Sequence, residues 1–245
     1  MSHPVGMIAV GHSGLTGEGT ADLHQDNFID SWATGTDPAV NSIYLRLVGA
    51  LPAIAGHVSN TAHGGALASA LVAQVRSALA QVPVPALAIV STIDNDMMCD
   101  QSNLARFGDS VLAGLNEIHT ASPNTKILVI GQFGRPNVAF IKQLVAAVPE
   151  QKAALTGDDE CTFFLPGGTL NEPGFVKLTA ASEAYEAEET RVCATVPNCS
   201  TDGGVRKTWV DKIELFSPDY AHLNVKGQAA EAEQLWPVVK ALLGL

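Results

Sequence analysis

Basic residues are scarce in this chain. Its 245 residues hold 14 Lys and Arg against 25 Asp and Glu, a formal net charge of −11. Phosphate backbones and anionic membrane surfaces are repelled by such a surface, so no nucleic acid partner is expected. No apolar run approaches the roughly 18 residues that a bilayer-spanning helix needs, and no membrane span is expected. Paired C-x-x-C spacing and an H-E-x-x-H helix are both missing, which removes the common zinc and redox-dithiol patterns. His3, His24, His57, His63 and His119 are scattered without an i, i+4 pair. Neither a metal nor a cofactor is expected. There is no internal repeat, low-complexity tract or linker, so one domain spanning 1–245, as a monomer, is the expectation.

What is present is core material: 47% of the residues are hydrophobic and only 16% charged, enough for one sizeable core. Val5 to Val10, Leu87 to Ile93 and Lys126 to Ile130 are short apolar runs that predict buried strands. Ala66 to Val82 and Phe107 to His119 carry helical periodicity between them. Alternation of this kind predicts an α/β fold with a mostly parallel sheet and helices on both faces. Val138 to Val148, Leu178 to Val192 and Val225 to Leu243 read as further helices, and Trp209 to Phe216 as a last strand. Glu183, Glu186, Glu188 and Glu189 read as a solvated helix face. Thr156 to Gly174 and Pro197 to Gly204 read as loops.

Cys99, Cys161, Cys193 and Cys199 form an even set that suits two disulfides and an oxidising compartment. Three pairings are possible; proximity suggests only Cys193 with Cys199, and reduced, buried cysteines are the plain alternative. The chain starts Met1-Ser2-His3-Pro4, without a basic n-region or a small-residue cleavage site. Secretion is still expected, with a leader cut away ahead of these residues.

Four segments at element boundaries carry polar groups suited to acyl transfer. Gly11-His12-Ser13-Gly14 places a hydroxyl after the first strand, between glycines that permit a sharp turn. It is not the G-x-S-x-G elbow, because position 15 is Leu15. Asn60-Thr61-Ala62-His63-Gly64-Gly65-Ala66 precedes the first long helix, where backbone N–H groups favour an anion. Ile93-Asp94-Asn95-Asp96 follows a strand at the end where open parallel sheets bind ligands, and the Asn95 amide is a candidate oxyanion donor. In Ser217-Pro218-Asp219-Tyr220-Ala221-His222, an Asp three residues before a His brings a carboxylate to the ring Nδ1 and leaves Nε2 free to take a proton. Each segment alone also has an ordinary reading as a turn or cap.

In this order the four segments resemble the SGNH hydrolases, the GDSL-type esterases and lipases. The resemblance runs from Gly11 to Gly227, and its most specific part is the D-x-x-H block with Leu223-Asn224-Val225-Lys226-Gly227 after it. It implies a flavodoxin-like three-layer α/β/α sandwich around a mostly parallel five-stranded sheet. It also implies Ser13 as nucleophile, Asp219 and His222 as the base pair, and an oxyanion hole from Ser13, Gly65 and Asn95. Two departures stand out: His12 replaces the family's aspartate in G-D-S, and Ile93-Asp94 replaces the usual glycines. The combination resembles a secreted actinobacterial subgroup, which adds support for disulfides and export.

The function expected is carboxylic ester hydrolysis through an acyl-enzyme on Ser13. Short to medium acyl chains are favoured, since aromatic content is 6% and no lid helix is evident. His12, Trp32, His63 and Asp94 are candidate substrate contacts, with burial as the competing reading for Trp32. Two other functions use the same residues or the same cleft: acyl transfer to an alcohol, and a non-catalytic module binding a polysaccharide or surface polymer.

Overall fold

Residues 4–245 are described by a computed structural model; His3, and the start of the chain on which the leader expectation rests, lie outside them. Five short strands form one parallel sheet: β1 (Met7–Gly11), β2 (Val58–Asn60), β3 (Leu87–Ser91), β4 (Lys126–Ile130) and β5 (Cys199–Thr201), in the order β2-β1-β3-β4-β5. The three central strands are almost wholly apolar, Lys126 and Ser91 at strand ends apart, because both of their faces are covered. Ile8, Val10, Ala88, Val90, Ile127 and Val129 point to one face, against helices α2 (Leu71–Gln81), α3 (Leu104–Ala121) and α6 (Glu172–Cys193). Met7, Ala9, Leu87, Ile89, Leu128 and Ile130 point to the other, against α1 (Ile43–Ala50) and α7 (Val225–Leu243). The result is the expected α/β/α sandwich.

A third cluster lies apart from these two layers. Phe140, Ile141 and Leu144 of α4 (Val138–Ala147) pack with Phe163, Phe164, Phe175, Phe216 and Tyr220, and Leu155, just beyond the short α5 (Gln151–Ala154), packs against them.

Two disulfides, Cys99–Cys161 and Cys193–Cys199, use all four cysteines. The second links the C-terminus of α6 to the first residue of β5. The first ties the segment after β3 to the loop before α6.

Three expectations are corrected. Trp209 to Phe216 is not a strand: it holds a short 3-10 turn at Ile213–Leu215, and Phe216 makes one bridge to Leu223. Its apolar residues Ile213 and Phe216 serve the third cluster instead. The last strand is β5, inside the stretch read as a loop from Pro197 to Gly204. The α6 glutamates are not all solvated, because Glu189 falls four residues after Tyr185 on the inward face. It is 1% exposed and accepts a hydrogen bond from Thr92 Oγ1 at 2.6 Å.

Candidate active site

From β1 the chain runs out to β2 at one edge of the sheet and then returns to β3 on the other side of β1. The carboxyl ends of β1 and β3 therefore form a topological switch point, where open parallel sheets leave a crevice. Gly11 ends β1 at φ +142°, and a Cβ there would lie 1.8 Å from the Ser91 carbonyl oxygen, so only glycine fits. The Gln74 side chain holds Gly11 at both ends, accepting from its N–H at 2.7 Å and donating to its carbonyl at 3.0 Å. The chain then enters a 3-10 turn at Ser13–Leu15.

His12 caps that turn: its Nδ1 accepts the Gly14 N–H at 3.0 Å. Because Nδ1 is the acceptor, the proton of the neutral ring sits on Nε2, which lies 3.3 Å from Asp94 Oδ2 and 3.4 Å from Ser91 Oγ. Burial lowers the His12 pKa against the opposing pull of Asp94, which keeps the ring neutral. His12 is 1% exposed, so the expectation that it touches substrate is corrected. It braces the turn from beneath.

The second element of the site is the turn before α7. Ser217 is buried and donates to Gly19 O at 2.8 Å, which ties this turn to the loop after Ser13. Tyr220 adopts φ +55°. Asp219 Oδ1 accepts the N–H groups of Ala221 and His222, each at 3.0 Å, while Oδ2 meets His222 Nδ1 at 2.8 Å. Burial acts to raise the Asp219 pKa, but these hydrogen bonds outweigh it and hold the carboxyl below its ordinary range. On the other side of the ring, His222 Nε2 lies 3.0 Å from Ser13 Oγ. Side chains 209 positions apart thus form a continuous Ser–His–Asp chain of contacts. Glu18, only 8% exposed, places Oε2 3.8 Å from the same Nε2.

The third element follows β3. Ile93 is buried with φ +60°, an uncommon conformation for a β-branched residue, and it turns the chain so that Asp94 and Asn95 reach the crevice. Asp96 accepts the Ala68 N–H at 2.7 Å. Asn95 Nδ2 donates to Ala66 O at 3.0 Å, which spends one of its two hydrogens and leaves the other. The backbone N–H groups of Ser13 and Gly65 have no intramolecular acceptor among the described residues.

These parts meet at a cavity of about 330 Å³, whose lining includes Ser13, Asp94, Asn95, Gln132, Phe133, Arg206, His222 and Glu231. Asp94 is part of this lining. Gly65 and His63 are not part of the lining; the His63 ring is exposed and pairs with Asp26 at 3.2 Å. Of the two readings of Trp32 the structure takes burial: it is 0% exposed and its Nε1 donates to Gly14 O at 2.7 Å, so it supports the Ser13 turn from the core.

Arg206 and Glu231 were missed in the sequence. Both are almost fully buried, with Nε and Oε1 2.8 Å apart, close in distance though not aligned as a hydrogen bond. Arg206 also donates to Ser91 Oγ and Gly131 O, each at 3.1 Å, and so clasps the ends of β3 and β4. Burial raises the Glu231 pKa to about 7 despite the arginine. Glu231 stands on α7 one turn after Gln228, on the inward face, which is the signal the helical period carried. Among the described residues one group of three could approach a metal, Cys99, Asp159 and Cys161. Its two sulfurs are bonded to each other and are not available as thiolate ligands.

No protein-family model matches the chain, and no curated protein matches it in sequence. Solved structures do match. An extracellular lipase from Streptomyces rimosus superposes with a TM-score of 0.58 at 15% identity, over 97% of this chain and 99% of that one. A family two carbohydrate esterase from Clostridium thermocellum gives 0.57 at 13% identity, over 99% of this chain and 66% of that one. A phospholipase A1 from Streptomyces albidoflavus gives 0.51 at 13% identity, over 98% and 99%. At these identities the likeness is one of fold, and the fold implied by the SGNH resemblance is the one observed.

Proposed function

We propose that this protein is a serine hydrolase of carboxylic esters. The observation that carries the reading is the contact of Ser13 Oγ with His222 Nε2 at 3.0 Å, with Asp219 2.8 Å behind the ring. In the proposed cycle His222 takes the Ser13 proton as the oxygen attacks the ester carbonyl. The oxyanion is held by the free backbone N–H groups of Ser13 and Gly65 and by the second Asn95 amide hydrogen. His222 then protonates the departing alcohol, and an acyl-enzyme on Ser13 remains. Water enters, gives a proton to His222 and releases the acid, while Asp219 keeps the imidazole oriented and stabilises its cationic form.

The fold shared with lipases and carbohydrate esterases supports an ester as substrate, and the two disulfides support an extracellular setting. A passive binding module has no use for a serine hydroxyl paired with an imidazole. Acyl transfer to an alcohol uses the same residues, and the ratio of hydrolysis to alcoholysis separates the two. The direct test is Ser13→Ala assayed on a short-chain chromogenic ester: the folded variant should lose turnover, and undiminished turnover would remove the nucleophile assignment.

A further inference from the structure

A second cavity adjoins the first. Its volume is about 220 Å³, and it shares Gln132 and Phe133 with the cavity that holds Ser13. Its walls come from the third apolar cluster: Phe140, Ile141 and Leu144 from α4, Leu155 and Phe163 from the loop before α6, and Phe216 and Tyr220 from the turn that carries Asp219 and His222. Ile141 and Leu144 are 6% and 2% exposed and form its floor. The Cys99–Cys161 disulfide anchors the Phe163 wall two residues away. The two cavities differ in balance. Asp94, Gln132, Arg206 and Glu231 give the first a larger polar share, whereas aromatic and aliphatic side chains dominate the second, with Arg135, Asn137 and Asp211 also in its lining.

We infer that the second cavity receives the acyl chain of a medium-chain ester, with Phe133 at the junction of the two cavities. This rests on the esterase reading above and narrows its substrate class. An acyl group stays attached to Ser13 through both half-reactions, whereas the alcohol has to leave before water enters. The apolar walls of the second cavity suit a hydrocarbon chain that stays bound, and the more polar first cavity suits the alcohol and water that exchange there. A pocket of this volume has room for a chain of several carbons beyond the carbonyl. An acetyl group would leave it empty. Each methylene that enters should raise kcat/KM by about fourfold until the chamber is full.

The test is a matched pair of ester series on the wild-type chain, with Leu144→Trp as the variant. In one series, p-nitrophenyl esters run from acetate to dodecanoate. In the other, acetates carry alcohols of rising length. The expected result is an acyl optimum near hexanoate to octanoate, a flat response to the alcohol, and a fall of about tenfold or more in the octanoate-to-acetate ratio in Leu144→Trp. Circular dichroism checks the variant's fold, and Leu155→Trp, on the half-buried wall, takes its place if Leu144→Trp does not fold. Acetate as the best substrate, a ratio unmoved in a folded variant, or a response to alcohol length in place of acyl length would overturn the inference while leaving the esterase reading standing. Loss of every ester activity in the wild type would instead overturn the esterase reading, and this inference with it.

Discussion

At the residue scale the site depends on a few atoms held by backbone that tolerates little change. Gly11→Ala would drive a methyl group into the Ser91 carbonyl, and the chain should lose both its thermal transition and its activity. Asn95→Ala should behave differently, since its side chain ties Ala66 and is proposed to hold the oxyanion. Removal of one oxyanion donor costs about 2.7–4 kcal/mol of transition-state stabilisation, so kcat should fall by about a hundredfold or more with KM little changed. Steady-state kinetics on a chromogenic ester checks this, and a change confined to KM would remove the oxyanion role. Ile93 presents two opposing effects. Glycine would relieve its φ of +60° but would empty a fully buried site, and the lost packing outweighs the relief of backbone strain. Ile93→Gly should therefore lower the thermal midpoint despite its better backbone fit.

At the scale of elements, the candidate site joins three element ends: the turn after β1 with Ser13, the turn after β3 with Asn95, and the turn before α7 with Asp219 and His222. The ends of those elements were legible because each carries polar side chains directly beside an apolar run, a contrast that periodicity reads well. β2 and β5 were not legible, being three residues each, and β5 exposes Ser200 at an edge that pairs only with β4. Trp209 to Phe216 looked like a strand because its aromatic and β-branched residues fit that pattern; tertiary packing against α4 uses those side chains without a ladder. The inward placement of Glu189 and Glu231 was present in the helical period but opposed by their charge. Arg206 lies in a short turn, and nothing local in its sequence announces a buried cation. The staples differ in reach. Closing 62 residues, Cys99–Cys161 should contribute about 4 kcal/mol by loop entropy, against about 2 kcal/mol for Cys193–Cys199, which closes 6. Thermal unfolding of Cys99→Ser with Cys161→Ser, beside the corresponding pair for the short loop, should show the larger loss in the first.

At the scale of the whole molecule, the buried acids set how stability depends on pH. Burial raises Asp211 to about 6, Glu231 to about 7, and Glu189 well above the ordinary glutamate value. In each case the folded state binds the proton more tightly than the unfolded chain does, so the contribution is complete below the ordinary carboxylate pKa and is lost as pH rises through the folded value. Asp219 acts in the opposite sense: its folded pKa is depressed, so its contribution is present above the ordinary aspartate value and is lost as pH falls through the lower one. The thermal midpoint should therefore peak at about pH 4 and decline toward pH 8, with Asp211→Asn reducing the decline between about 4 and 6. A midpoint that climbs from pH 5 to pH 8 would contradict this assignment of buried, protonated acids.

The proposed function has one requirement, that His222 activates Ser13. A fluorophosphonate reacts covalently with a serine oxygen only when that oxygen is activated. Peptide mass spectrometry of the treated wild-type protein should find the adduct on Ser13, with labelling lost in His222→Ala and in Ser13→Ala. An adduct on another residue, or an unlabelled Ser13 in a protein that still hydrolyses esters, would contradict the account.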